Sequence, residues 1–177
     1  MFDYSNEKGR LEILGIVAHE LGHWANGDTI KILVQKLLSI YIIFFVFGYS
    51  FEYTDIPNSF GFTEESVFLK LLLFFLVLEP INEILHIKQV AFTRSIEFAA
   101  DKYSVNLGYG ESLKSGLVAI HVNNQANLNP DWLFALFTFS HPAMVERLNA
   151  IDKRIIEIAK EVDKDATTID KAMGVYK

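Results

Sequence analysis

Two histidines four residues apart, His19 and His23, lie in the stretch "IVAHELGHWANGD", and Glu20 directly follows the first of them. Histidines at positions i and i+4 of a helix project from the same side one turn apart, so both imidazoles can reach one zinc ion. A neighbouring glutamate can accept a proton from the zinc-bound water, which then attacks a peptide carbonyl. The pattern predicts a zinc peptidase; a helix with two surface histidines is the alternative.

Two histidines leave a zinc site incomplete, and the chain contains no cysteine, so we expect a carboxylate as the third ligand. Glu97 and Asp101 lie four residues apart in "SIEFAAD", which puts both on one helical face. We expect Glu97 to complete a site for one zinc ion and Asp101 to accept a hydrogen bond from a ligand histidine. Such a pair alone is more often a solvated face, but the preceding zinc motif favours metal binding.

His141 and Arg147, in "SHPAMVER", are candidates for contact with a substrate. Either side chain can donate a hydrogen bond to the oxyanion that forms when water attacks a carbonyl. The alternatives are a helix cap for His141 and a surface ion pair for Arg147.

The elements that must position these residues are predicted to be helical throughout. Apolar residues recur at helical spacing over residues 11–34, which predicts one helix carrying both histidines. After Arg94 we expect a helix that stops near Gly108, another over about 111–123, and a last one from Pro142 to about residue 162.

Two strongly apolar segments separate the histidines from the acidic pair. Residues 37–51 carry no charge, and residues 32–53 are long enough to cross a bilayer; a buried helix of a soluble protein is the alternative. The second segment, 66–78, is interrupted by Lys70 and followed by Pro80, where we expect a kink. Lysine and arginine flank the pair of segments and are absent from the acidic connection between them. The positive-inside rule therefore predicts a transmembrane hairpin with both outer ends in the cytosol.

The hairpin would return residues near 20 and near 97 to the same side of the membrane. Glu79 and Glu83 would then lie at membrane depth, where we expect them to face a polar cavity.

The bulk properties of the 177-residue chain agree with a membrane enzyme. It is 51% hydrophobic with a formal net charge of −6, which argues against a nucleic-acid partner and favours contact with membrane lipid. We divide it into a zinc-motif helix (1–31), the hairpin (32–92), the helices with the third ligand and substrate contacts (93–162) and a polar tail (163–177), together one peptidase domain. The first residues lack the apolar region of a signal peptide, and we expect a fragment of a longer protein.

The order "AHELGHW", hydrophobic hairpin, "EFAAD" and "PDWLFALFTFSHPAMVERL" closely resembles the integral-membrane CAAX prenyl proteases, the type that processes yeast a-factor and prelamin A. The motifs also recur in other zinc proteases, including bacterial stress-induced membrane proteases, but Trp24 and the "DWL…SHP…ERL" block favour the prenyl proteases. The resemblance covers roughly residues 14–152. It implies that His19, His23 and Glu97 bind zinc and that Glu20 is the catalytic base.

The resemblance also implies that Asp101 supports the ligands and that His141 and Arg147 contact the substrate backbone or the transition state. It implies removal of the last three residues of prenylated CAAX proteins, with a further N-terminal cut in some. The location would be multi-pass in the endoplasmic reticulum membrane, with the nuclear envelope as a second site. Family members enclose a large chamber with seven spans, and this chain matches the C-terminal part, with about two.

Two alternatives remain: a zinc protease that cleaves misfolded membrane proteins, and a truncated membrane module without catalysis. The intact Glu20 argues against the second, because a structural zinc site needs no general base. The sequence leaves the oligomeric state and the physiological substrate open.

Overall fold

The computed structural model describes residues 5–52, 55–63, 66–125, 127 and 129–174, and every regular element in these ranges is a helix. The helices are α1 (Glu7–Ala25), α2 (Asp28–Glu52), α3 (Asp55–Ser59), α4 (Val67–Asn106), α5 (Gly110–Asn123), α6 (Trp132–Thr138) and α7 (Met144–Gly174). The predicted all-α class is confirmed.

The chain divides into two compact units. The motif unit combines residues 1–28 with residues 93–177, so it holds α1, the end of α4, and α5 to α7. The apolar unit, residues 29–92, holds most of α2, α3 and the first part of α4. All seven candidate site residues belong to the motif unit, which the apolar unit interrupts in sequence.

The helix that carries the histidines is shorter than predicted. The side chain of Asn6 caps its start by accepting a hydrogen bond from the Gly9 amide at 2.6 Å. The helix ends at Ala25, and Gly27 takes the left-handed conformation with φ +67° before α2 begins at Asp28. The prediction of one helix over residues 11–34 is therefore wrong, because the Asn-Gly pair ends a helix that the hydrophobic periodicity would continue.

Glycines let α1 approach its neighbours at backbone distance. A Cβ added to Gly15 would lie 2.6 Å from the backbone nitrogen of Leu113 in α5, and one added to Gly116 would lie 3.0 Å from the Glu12 carbonyl oxygen. The buried hydroxyl of Ser104 donates to the Gly15 carbonyl oxygen at 3.0 Å. This close packing fixes the position of α1 along its axis relative to α4 and α5 in the motif unit.

The buried face of α1 is the one with small side chains. Gly15, Ala18, His19 and Gly22 are buried, whereas Leu11, Leu14, Val17 and Leu21 are between 41% and 46% exposed. The hydrophobic core of the motif unit lies instead among α4, α5 and α7. It consists of five buried residues: Val105, Leu113, Leu117, Met144 and Ile151.

Two of the other predicted boundaries also differ from the structure. Pro80 lies inside α4, so the second apolar segment and the segment with Glu97 form one 40-residue helix. The last helix begins at Met144, two residues after Pro142, and continues to Gly174, so the described part of the predicted polar tail is helical. Residues 175–177 of that tail lie outside the described residues.

Within the described part of the chain, one helix, α2, is long and apolar enough by length and composition to cross a membrane. The ring of Phe47 in α2 packs edge-on against the ring of Phe74 in α4, with ring centroids 5.0 Å apart. Glu79 and Glu83 are exposed on α4. The second span and the polar cavity stay predictions.

Candidate metal centre

His19, His23 and Glu97 present ligand atoms to one point between α1 and α4. The Nε2 atoms of the two histidines are 3.2 Å apart. Glu97 places Oε2 3.6 Å from Nε2 of His19 and Oε1 3.7 Å from Nε2 of His23. Two nitrogens bound to one tetrahedral zinc at about 2.0–2.1 Å each would be roughly 3.3–3.4 Å apart, so the spacing fits such an ion.

The outer nitrogens of both histidines are held by buried carboxylates. Nδ1 of His19 is 2.9 Å from Oδ1 of Asp101, and Nδ1 of His23 is 3.0 Å from Oδ2 of Asp28. An ionised carboxylate can only accept, so each Nδ1 donates, and in a neutral imidazole Nε2 then keeps its lone pair. Two lone pairs that face each other at 3.2 Å repel, and a cation between them removes that repulsion. The donor set therefore fits a zinc ion with two imidazoles and one carboxylate.

Arg147 of α7 joins the two carboxylates of α4. Its Nε and Nη2 donate to the two oxygens of Asp101 at 2.8 and 2.6 Å, and its Nη1 lies 3.4 Å from Oε2 of Glu97. Burial by itself would raise the pKa of Asp101, but hydrogen bonds with Arg147 and His19 hold that pKa below its usual value. Asp101 therefore stays ionised and keeps accepting from His19.

The same pair keeps Arg147 charged. Burial by itself would lower the pKa of the Arg147 guanidinium, but the hydrogen bonds with Asp101 raise it, with further contributions from the charges of Glu97 and Glu20. Arg147 is only 7% exposed, and its side chain contacts Asp101, Glu97 and, with Nη2 at 3.5 Å, Nδ1 of His19. Its contact with a substrate stays a prediction.

Glu20 and His141 lie on the solvent side of the site. Glu20 is exposed on α1. The His141 side chain is 65% exposed, its Nε2 is 3.4 Å from Oε1 of Glu97, and its Nδ1 is 3.0 Å from the Ser140 hydroxyl. A cavity of about 270 Å³ that His141, Phe139 and Met144 help to line opens next to it.

A cap at the start of α7 holds the segment that carries His141. The Glu146 carboxylate accepts from the Ala143 amide at 3.1 Å and from Nη2 of Arg94 at 2.6 Å. Arg94 lies on α4 one turn before Glu97, so this ion pair ties the end of the His141 loop to the ligand helix. The sequence interpretation used Arg94 only as one of the cations that flank the hairpin and assigned no role to Glu146.

The structure brings all seven candidate residues into one neighbourhood and adds one more, Asp28. The sequence interpretation passed over Asp28 because it assumed an unbroken helix, in which positions five apart do not share a face. The signal was the Asn26-Gly27 pair, which predicts a reversal directly after the second histidine.

Comparisons with known proteins converge on one family. The sequence profile of peptidase family M48 matches residues 5–155. The chain is 32% identical over 142 residues to the human CAAX prenyl protease 1 homolog, covering 79% of this chain and 30% of that protein. It is 36% identical over 143 residues to the probable CAAX prenyl protease 1 of Schizosaccharomyces pombe, covering 80% and 30%.

A solved structure is similar as well. The crystal structure of S. mikatae Ste24p superposes with a TM-score of 0.67 at 27% identity, covering 79% of this chain and 36% of that one. The chain thus spans about a third of the length of the relatives that it matches.

Proposed function

This chain belongs to peptidase family M48, and we propose that it carries the catalytic site of a zinc metalloendopeptidase that removes the C-terminal tripeptide of prenylated CAAX proteins. The observation that carries the proposal is the convergence of His19, His23 and Glu97 on one point. The relatives named as CAAX prenyl proteases support the choice of substrate.

Zinc, when bound by the two histidines and Glu97, supplies a Lewis acid that lowers the pKa of water and polarises a carbonyl. Glu20 follows the first ligand on α1 and is exposed to solvent. It accepts the proton of the attacking water and passes it to the leaving amine. Its carboxylate is well suited to this task because it is not used as a ligand.

The remaining residues hold the site and receive the substrate. Asp101 keeps the Nε2 lone pair of His19 directed at the ligand point by accepting from Nδ1, and Arg147 fixes both Asp101 and Glu97. The exposure of His141, with Nε2 3.4 Å from Glu97, supports a role as hydrogen-bond donor to the oxyanion of the substrate. The cavity beside His141 offers space for a substrate side chain.

A membrane location follows from the same proposal. The length and hydropathy of α2 support at least one span, and the second segment in α4 would complete the hairpin. The resemblance to CAAX prenyl proteases supports a multi-pass protein of the endoplasmic reticulum membrane in contact with lipid, and prenylated substrates are themselves membrane-bound.

The test is cleavage of a farnesylated CAAX peptide by the purified, zinc-loaded chain in detergent. We expect release of the C-terminal tripeptide, and we expect Glu20→Gln to lower the rate by about 10³-fold or more while zinc stays bound, because the base is lost and the ligands are not. Glu157→Gln, which changes an exposed glutamate of α7 outside the site, is the matched control and should keep full activity.

Three other results would count against the proposal. Equal cleavage of an unprenylated peptide would favour a general membrane-protein protease. Stoichiometric zinc without cleavage would favour a membrane module without catalysis. Cleavage that survives Glu20→Gln would remove Glu20 as the base.

A further inference from the structure

We propose that Asp28 positions His23 for metal binding; this inference rests on the zinc site of the proposed function. Asp28 is only 2% exposed, and its Oδ2 lies 3.0 Å from Nδ1 of His23. Asp28 is not close to the ligand point itself, because it contacts the outer nitrogen of the ring. It therefore acts on the metal through the histidine.

The hydrogen bond decides which nitrogen of His23 carries the proton. With the proton on Nδ1 and donated to Asp28, Nε2 presents a lone pair to the ligand point. Without that acceptor the proton can move to Nε2, which lies 3.2 Å from Nε2 of His19. The two histidines would then hydrogen-bond each other, and this bond competes directly with the metal.

The reversal after α1 makes this contact possible. The helix ends at Ala25, the Asn26 amide bonds to the Gly22 carbonyl oxygen at 2.9 Å, and Gly27 follows with φ +67°. A left-handed residue at this point turns the chain back on the last turn of the helix, so Asp28 reaches a side chain five positions earlier. Asp28 and Asp101 thus hold the two histidines in the same way from different helices.

Asp28 also lies in the first turn of α2, where the negative charge of an aspartate stabilises a helix whether or not it touches a histidine. Three variants separate the two roles. Asp28→Ser keeps a short polar side chain of the kind that helix starts favour, but its hydroxyl is too short to reach His23. Asp28→Asn keeps an acceptor of the same length without the charge. Asp28→Ala removes both the charge and the acceptor.

The experiment uses the full chain in detergent and three measurements. Zinc affinity is measured by competition with a fluorescent chelator, the thermal stability of the zinc-free protein by its unfolding temperature, and the histidine tautomers by ¹H–¹⁵N correlation spectra of the zinc-free protein. The chain has five histidines. The signals that disappear from the spectrum of His23→Gln are assigned to His23.

We expect Asp28→Ser to lower zinc affinity by about 10- to 100-fold, as loss of a carboxylate partner of a ligand histidine typically does. Its unfolding temperature should stay close to that of the wild type, and the proton of His23 should move from Nδ1 to Nε2. Asp28→Asn should recover most of the affinity and restore the Nδ1 proton, because it still accepts.

Wild-type zinc affinity in Asp28→Ser would overturn the inference, and so would an unchanged His23 tautomer. A wild type that binds no zinc would instead overturn the proposed function. A wild type that binds zinc without cleaving peptides leaves the inference on Asp28 to be decided by the affinities and tautomers alone.

Discussion

Gly22 offers a direct test of how α1 is set against α4, because it lies between the two histidines on the buried face of the helix. A Cβ at this position would be 3.0 Å from the Cα of Ala100, 3.0 Å from the Cβ of Tyr103 and 3.1 Å from the Ala100 carbonyl oxygen. Backbone atoms make two of these three contacts, so the helices themselves must separate to admit a methyl group.

The size of the effect follows from these distances. Carbon atoms in ordinary contact are about 3.5–4.0 Å apart, so Gly22→Ala would open the α1–α4 approach by roughly 0.5 Å. A metal site tolerates ligand displacements of only about 0.2 Å, so we expect zinc affinity to fall by at least about tenfold. Overpacking costs about 1–3 kcal/mol. The better helix propensity of alanine offsets about 1 kcal/mol of that cost.

The assay is chelator competition for zinc affinity together with thermal unfolding of the zinc-free chain. We expect a clear loss of affinity with a net loss of stability of only about 0–2 kcal/mol. Gly48→Ala is the matched control, because a Cβ at this glycine of α2 meets no atom within 4 Å. Zinc binding as tight as that of the wild type in Gly22→Ala would refute the argument that this crossing sets the ligand spacing.

Further variants test the rest of the site and the packing. Glu97→Ala should weaken zinc binding by roughly 100-fold or more because two imidazoles alone leave the ligand set incomplete, and tight stoichiometric zinc in equilibrium dialysis would exclude it as a ligand. Arg147→Lys keeps the charge but loses the two-pronged contact with Asp101, so the zinc-free protein should lose about 1–3 kcal/mol in denaturant unfolding; unchanged unfolding would contradict this. Gly15→Ala should destabilise by about 1–3 kcal/mol, because its Cβ would lie 2.6 Å from α5 backbone, and an unshifted melting curve would disprove that packing. The chain should be monodisperse only in detergent or lipid, as α2 is exposed and apolar, and a monodisperse monomer in plain buffer on size-exclusion chromatography would overturn the predicted hairpin.

The candidate metal-binding group of His19, His23 and Glu97 could be predicted from the sequence because its chemistry is local. Two histidines four residues apart on a helix, with a glutamate between them, are typical of a zinc-binding motif. Glu97 and Asp101 have the same four-residue spacing on another helix. The all-α class followed from the same periodicities. Each of these arguments needs only residue types and their spacing along one helix.

The contacts that depend on tertiary packing could not be predicted in this way. Hydrophobic periodicity shows that α1 has an apolar face but not that the opposite, small-residue face makes the close contact, as it often does between helices of membrane proteins. The role of Asp28 required the reversal at Gly27, and the pairing of Arg147 with Asp101 required the position of α7. These facts come from how the helices meet.

The division of the motif unit by an apolar insertion sets an order of events during synthesis. His19 and His23 are made first, and Arg147, which anchors the acidic partners of the site, follows His19 by 128 residues. At about 5–20 residues per second, this interval lasts roughly 6–25 s. Glu97 is made before Arg147, so the nascent chain at first lacks both the candidate third ligand and the anchoring cation, and later only the cation. If the proposed function holds, the site stays incomplete beside the translating ribosome until the apolar segment has been made and α7 has docked.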